Sequence, residues 1–422
     1  MPVQEKLIIE GGRRLVGDIQ VSGGKNTSLP VLSATLLCDE PVRVENLPDI
    51  DDVHVLIELM RGLGVKVEQE GGAAVVNPSG LNGTAPCATL FQKMRASYYL
   101  LGALLGKVKE GSIPYPGGCQ IADRPIDQHI KGFRALGAEI TETERGIRAR
   151  ASALSGAEIF FDMVTVGGTI NVMLAASRAA GNTVIHNAAK EPHVVDTANF
   201  LNSMGARIRG AGTDMIRVRG VERLHGCVYT VIPDQIETGT LMIAAAATLG
   251  DVTIHGCIPA HMESLSAKLL EMGVRIDDYD DVIRVRSLGG HRAINIKTQA
   301  YPGFPTDLQQ PMSALLSTAT GASTITETIF NNRFKQLPEL SRMGARARVN
   351  GWVAVVEGVP RLSGAAVTAS DLRAGAALVV AGLMAGGVTE IYNLRYIDRG
   401  YEKLDERLRA LGARMRREWV TD

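Results

Sequence analysis

Two kinds of apolar pattern alternate along the chain. One is nearly continuous, as in SLPVLSATLL (28–37), SYYLLGALLG (97–106), INVMLAASRAAG (170–181), TGTLMIAAAATLG (238–250), PMSALLSTATG (311–321) and AGAALVVAGLMAGG (374–387). Runs rich in Ala, Leu and Gly with so few charges predict helices buried on most sides. The other is amphipathic, as in HMESLSAKLLEMGV (261–274) and YEKLDERLRALGA (401–413), with apolar residues at helical spacing and a glycine at the end. Short strand-like pieces such as NTVIHNA, GDVTIHG, ASTITET and GVTEIYN separate the two kinds of helix.

The amphipathic ending recurs as LGVKV, LGAEI, MGARI, MGVRI, MGARA and LGARM, with its glycine at 64, 137, 205, 273, 344 and 412. The steps are 73, 68, 68, 71 and 68 residues, so the chain reads as six copies of one unit of about 70 residues. Each copy is strand, buried helix, strand, exposed helix, strand. This predicts an α/β fold of six repeats, three per lobe, with helices inside, sheets outside and a ligand cleft between the lobes. Pro233, in TVIPDQIETG, breaks a strand pattern between the third and fourth copies and marks the hinge. The expected lobes are residues 22–232, and residues 1–21 with 233–422.

A chain of 422 residues exceeds a single ordinary core, which fits two lobes. Lys+Arg and Asp+Glu are both 45, so no protein-wide field marks the chain for nucleic acid or an anionic membrane. An anionic ligand must then be caught by locally placed cations. No apolar run approaches the ~18 residues of a membrane helix, and MPVQEKLIIEGG lacks the core of a signal peptide. A cytoplasmic protein is expected. The five cysteines, at 38, 87, 119, 227 and 257, are scattered without a CxxC, and the eight histidines show no HxxxH or HxH. Neither a disulfide framework nor a metal site is expected.

Several turns carry chemistry-bearing residues. VSGGKNTSLP (21–30) sets Lys25 after two glycines at a buried helix, which suits either an anion at the helix N-terminus or a plain strand-to-helix turn with a solvent lysine. It is not a Walker loop, because Asn26 follows the lysine. In PGGCQIADRP, Cys119 is either a small buried filler or a thiol activated by Arg124. FPTDLQQ places Asp307 at a helix start, as an N-cap or as a general base. Arg333, Asp371, Arg373, Asp398 and Arg399 occupy comparable turns, so Lys25, Arg124, Arg333, Arg373 and Arg399 could together form a small-anion site.

The motifs SGGKN, KMRAS, PGGCQIADRPID, TVGGTIN, NAAKEPHVVDTANFLNSMGA, PDQIETGT, FPTDLQQ, TETIFNNRF, DLRAGAAL and YIDRGYEKL occur in order from about residue 5 to residue 417. Through them the chain resembles the UDP-N-acetylglucosamine 1-carboxyvinyltransferases, enolpyruvyl transferases of peptidoglycan precursor synthesis whose two lobes are each an inside-out α/β barrel of three repeats. The resemblance implies transfer of the enolpyruvyl group of phosphoenolpyruvate to the 3'-hydroxyl of UDP-N-acetylglucosamine, with release of phosphate and no cofactor or metal. It implies that Lys25, Arg124 and Arg399 neutralise phosphate and carboxylate, that Cys119 supplies a proton or holds an adduct and is alkylated by fosfomycin, and that Asp307 takes the hydroxyl proton.

By the same resemblance Asn26, Arg95, Arg124, Pro125, Ile126, Asp127, Gln128, Val164, Thr165, Val166, Gly167, Asp307 and Ile329 hold the nucleotide sugar. Lys25, Asn26, Arg124, Arg333, Asp371, Arg373 and Arg399 serve phosphoenolpyruvate. Two positions depart from the pattern: Met163 and Gln235 stand where some members carry a lysine and an arginine. The alternatives are a shikimate-pathway enolpyruvyl transferase, a non-catalytic paralogue that binds nucleotide sugar, and a thiol redox sensor acting through Cys119. The PGGC loop and the NAAKEPHVVDTANF stretch speak against the first, and the joint presence of Lys25, Cys119, Asp307 and Arg399 against the second. For the third, no resolving cysteine lies close in sequence.

Overall fold

The computed structural model describes residues 4–115, 126–144 and 146–420, with Gln4, Arg95 and Val420 described by backbone alone. The six apolar runs form helices Lys25–Ala34, Tyr99–Val108, Val166–Ala176, Gln235–Ala247, Thr306–Leu316 and Leu372–Met384. Every residue of Gln235–Ala247 after Gln235 is buried, a pattern possible only where a helix is surrounded. Polar residues are tolerated there because their hydroxyls bond back within the helix, as Thr240 Oγ1 does to the Ile236 carbonyl at 2.8 Å and Ser33 Oγ to that of Leu29 at 2.9 Å. Close approach also needs missing side chains. A Cβ at Gly102 would lie 2.5 Å from Asn171 Oδ1 on the neighbouring buried helix.

The six repeat glycines share one conformation. Their φ angles are 91, 92, 98, 98, 95 and 96°, in the region that side chains resist. Each ends its helix the same way: the next residue's N–H returns to a carbonyl in the last turn, as Val65 does to Met60 at 3.1 Å and Ala413 to Leu408 at 3.0 Å. The regular step in the sequence therefore records a recurring helix stop that then releases the chain into a strand.

Among the described residues the strands make six sheets, five of four strands and one of three. Each lies outside a buried helix, which gives the inside-out α/β arrangement. The chain divides into two compact units. One takes in residues 23–115 and 126–232, the other residues 4–22 and 233–420. Each has its own apolar core, one built around Leu32, Leu104 and Val172, the other around Met242, Leu315 and Leu378.

Each unit is closed by strands distant in sequence. In the first, Val228–Thr230 runs parallel to Val42–Glu45. In the second, Gln4–Glu10 is held between Val388–Tyr392 and Arg414–Val420, and Val16–Gln20 runs parallel to Asp251–His255. The three-stranded sheet, Glu110–Pro114 with Gly146–Arg150 and Glu139–Thr143, is wholly antiparallel, whereas each of the other five contains a parallel pair. No helix among the described residues is long and apolar enough to cross a membrane.

Candidate active site

In the unit of residues 233–420, three of the singled-out side chains come together. Asp307 stands in the first turn of helix Thr306–Leu316, whose N-cap is Pro305, so capping does not explain it. Its Oδ1 accepts from Arg333 Nη2 at 2.5 Å and its Oδ2 from Arg373 Nη2 at 2.9 Å. Arg333 is 1% exposed, Arg373 4% and Asp307 24% by side chain, so the carboxylate is the part of the cluster nearest water. Two cations and one carboxylate leave a net positive charge in a dry setting, where electrostatic interactions are strong.

The two arginines are supported from behind. The Arg333 guanidinium lies 5.2 Å from the Phe330 ring centre, and its backbone carbonyl accepts from Gln310 Nε2 at 2.9 Å. Arg373 lies 5.5 Å from the centre of the Tyr401 ring, whose hydroxyl meets Thr240 Oγ1 at 2.9 Å. Burial works against the charge of Arg373, yet Asp307 holds its pKa above the ordinary arginine value. Such stacking and charge-assisted bonding make a rigid cationic cradle.

Asp371 has a structural task in the same unit. It N-caps helix Leu372–Met384, with Oδ1 accepting from the N–H groups of Arg373 and Ala374 at 3.0 Å each. The cap thereby fixes the backbone from which Arg373 projects. Ile329 lies in a turn shaped by Glu327, a residue that sequence reasoning missed. Buried Glu327 accepts from Thr298 Oγ1 at 2.8 Å, Thr306 Oγ1 at 2.9 Å and Ile329 N–H at 2.9 Å. One carboxylate thus ties the Ile329 turn to the residue beside Asp307. Arg399 follows the short helix Arg395–Asp398, and Asp398 is paired with Arg417 at 2.7 Å, so this turn is braced.

In the unit of residues 23–232, Lys25 opens helix Lys25–Ala34 with Asn26 beside it. It is no solvent lysine: its Nζ lies 2.9 Å from Oδ2 of Asp52, which is 4% exposed by side chain. Asp52 was also missed. Its only sequence signal is an acidic pair, Asp51 and Asp52, at the start of helix Asp51–Gly62. The glycine before the lysine turn is obligatory, because a Cβ at Gly23 would sit 1.6 Å from the Asn46 carbonyl oxygen.

Two other predicted segments of this unit meet. Gln128, at the start of helix Asp127–Ala135, donates Nε2 to Asp127 at 2.7 Å and to Asp162 at 3.1 Å, and its Oε1 accepts from Asp162 N–H at 3.0 Å. Lys131 and Gln128 hold the Asp162 carboxyl below the usual range. Thr165 then N-caps helix Val166–Ala176 by accepting from Gly168 N–H at 3.2 Å. A Cβ at Gly167, in the first turn of that helix, would lie 2.8 Å from His129 Nε2, so the His129 ring packs directly against bare backbone there. Met163 and Val164 are exposed beside it. Ile126 precedes the Asp127 helix and is half-buried. Cys119, Arg124 and Pro125 lie outside the described residues, as does the side chain of Arg95. The other four cysteines are free thiols.

Residues 9–408 match the family model EPSP synthase (3-phosphoshikimate 1-carboxyvinyltransferase). The chain is 57% identical to UDP-N-acetylglucosamine 1-carboxyvinyltransferase 3 of Caldanaerobacter subterraneus subsp. tengcongensis, over 97% of this chain and 98% of that one. It is 52% identical to UDP-N-acetylglucosamine 1-carboxyvinyltransferase 2 of Bacillus subtilis, over 99% and 98%. Among solved structures, the enolpyruvyl transferase NikO from Streptomyces tendae superposes with a TM-score of 0.88 at 26% identity, covering 100% of both chains. An EPSP synthase from Acinetobacter baumannii superposes with a TM-score of 0.76 at 18% identity over 99% of this chain and 100% of that one, a likeness of fold.

Proposed function

Because the chain belongs to the EPSP synthase family of enolpyruvyl transferases, we infer that it moves the enolpyruvyl group of phosphoenolpyruvate onto the 3'-hydroxyl of UDP-N-acetylglucosamine and releases phosphate. The observation that carries this reading is the near-full-length likeness to enzymes named for that nucleotide sugar. The reaction is addition followed by elimination. C3 of phosphoenolpyruvate gains a proton, the sugar oxygen bonds to C2, and the hydroxyl proton goes to a base. The tetrahedral ketal then loses a proton from C3 as the bond from C2 to the phosphate oxygen breaks, which restores the double bond.

The side chains suit these steps. Asp307 is the base: it is the exposed member of a buried cationic cluster, and Arg333 and Arg373 hold it in place as positioning residues. Lys25 and Arg399 meet the charges of phosphoenolpyruvate with Arg124, and Cys119 supplies the proton to C3 or holds a covalent phosphoenolpyruvate adduct. The Gln128 and Val164–Gly167 segments, joined through Asp162, hold the nucleotide sugar. Both substrates are small molecules, and a cytoplasmic enzyme of cell-wall precursor synthesis belongs to the same proposal.

Phosphate release from phosphoenolpyruvate tests it. Release should require UDP-N-acetylglucosamine and fall sharply with Cys119→Ala. Release with shikimate 3-phosphate in its place would establish the other branch of the family.

A further inference from the structure

The sheet of the third repeat has an outer face unlike the others. Its strands lie in the order Arg207–Arg209, Met215–Arg219, Asn182–His186, Glu158–Phe160. Register sets Arg207 opposite Arg219 and Arg209 opposite Arg217. All four arginines are exposed, while Ile208 and Val218 between them are buried. Neighbouring strands are ~4.8 Å apart and alternate residues ~6.8 Å, so four guanidinium groups rise from a grid of about 5 by 7 Å. Like charges placed directly opposite destabilise a sheet.

Elsewhere outer-face arginines have acidic neighbours. In the first repeat Arg43 pairs with Glu45 and Glu70 at 3.0 Å each, and in the second Arg148 pairs with Glu110 at 2.6 Å. In the fourth Arg284 pairs with Asp251 at 2.8 Å, and Arg286, which faces Arg275 across the sheet, is neutralised by Asp277 at 2.5 Å; in the sixth Arg414 pairs with Glu10 at 3.6 Å. The fifth sets Arg346 opposite Glu357. Among the described residues, none of the four arginines of the third repeat forms an ion pair; its outer-face pair is His186 with Glu158. What sets the third repeat apart is two such opposed pairs side by side with no acidic partner, so in a chain of zero net charge it has gathered four cations at a cost in sheet stability.

The four arginines also line a depression of about 670 Å³, together with Asn182 and Asn202. This lies within the usual size range of small-ligand sites. We propose that it binds a compact polyanion with two or three linked phosphate groups, of the kind carried by a nucleoside di- or triphosphate. Guanidinium forks match phosphate oxygens bidentately, and a chain of phosphates spans a grid that a single phosphate cannot. An acidic peptide added as a further strand is disfavoured. Asn202 accepts from Ile208 N–H at 2.8 Å and donates to its carbonyl at 3.0 Å, so the edge of strand Arg207–Arg209 is already occupied.

The depression is separate from the segments assigned to the nucleotide sugar in this unit. Arg207 and Arg219 are level with Asn182 and Arg209 and Arg217 with Val184, whereas Phe160, which leads towards Val164–Gly167, is level with His186. The far arginine row is four residues of strand, about 13 Å, from that of Phe160, and the near row two residues, about 7 Å.

Calorimetric titration of the full-length protein with inorganic tripolyphosphate at low salt tests the site. The wild type and Lys25→Ala should bind one equivalent alike. The quadruple variant with Arg→Gln at 207, 209, 217 and 219 should bind at least a hundredfold more weakly, and Arg209→Gln with Arg217→Gln at least tenfold, with turnover unchanged within twofold in both. Removing opposed like charges should leave the melting temperature equal or higher, which confirms folding. No binding to the wild type, undiminished binding to the Gln variants, or loss of binding in Lys25→Ala would each overturn the proposal.

Discussion

Arg373 reaches Asp307 at 2.9 Å across 66 residues of sequence, from the first turn of one buried helix to the first turn of another. The carboxylate it holds is also held by Arg333, so the proposed base and its supports form one charged cluster. Asp307→Ala should therefore do two things. Turnover should fall by about 10² to 10⁴ with substrate affinity far less changed, and unfolding in urea should show a loss of about 3–5 kcal/mol, because two buried guanidiniums lose their counter-charge. Unchanged turnover would remove Asp307 from the role of base.

Lys25 and Asp52 give a paired prediction. Lys25→Ala should lower kcat/KM for phosphoenolpyruvate by about 10- to 150-fold, the worth of one charged hydrogen bond. Asp52→Asn should raise KM with a smaller change in kcat, since Asp52 is the more deeply buried partner and aims the ammonium. Equal kinetic effects of the two would show that Asp52 does more than orient.

Glu237 supplies a pH dependence. It is buried in helix Gln235–Ala247, accepts from Ser22 N–H at 3.0 Å and lies 3.0 Å from Arg407 Nη1. Burial raises its pKa to about 7, against the pull of Arg407. The folded state therefore binds this proton more tightly than the unfolded chain does. Between the unfolded pKa near 4.5 and the folded value near 7, its contribution to stability decreases as pH rises, by on the order of 3 kcal/mol. Glu237→Gln should gain stability relative to the wild type from pH 5 to pH 8 in parallel urea titrations. A constant difference across that range would contradict the burial-driven shift.

The repeat glycines predict a graded series. Gly344 has φ 95° and open space where a Cβ would stand, so Gly344→Ala should cost about 1–2 kcal/mol from backbone strain alone. Gly64→Ala adds a collision 2.4 Å from the Gly80 carbonyl oxygen and should cost more. Gly62, inside helix Asp51–Gly62 with nothing within 4 Å of its Cβ position, should instead gain roughly 0.5–1 kcal/mol as Ala. Equal effects at all three would refute the assignment of helix stops.

The contrast between those glycines and Asp307 shows what a sequence makes legible. A helix stop is local: one residue type, one φ region, and a pattern within a dozen positions, so six copies announce the repeat and its buried helices. Asp307 could be narrowed only to two roles, because what decides between them is the company of Arg333 and Arg373 from other turns. Asp52 and Glu327 escaped for the same reason. Each lies at an ordinary helix start or strand end, and its value comes from Lys25, or from Thr306 and Ile329, brought near by the fold. The arginine grid was likewise hidden, since strand register alone sets Arg207 beside Arg219.

The strand Gln4–Glu10 has partners that include Glu390 for Lys6 and Arg417 for Glu5, 384 and 412 residues further on. During synthesis the unit of residues 23–232 is complete, with its closing strand Val228–Thr230, while Gln4–Glu10 still has no neighbour. A nascent chain must carry that strand with open edges until the ribosome has read through most of the message. Delay at that stage exposes an aggregation-prone edge, so the order of synthesis, and not only final stability, limits the yield of folded protein.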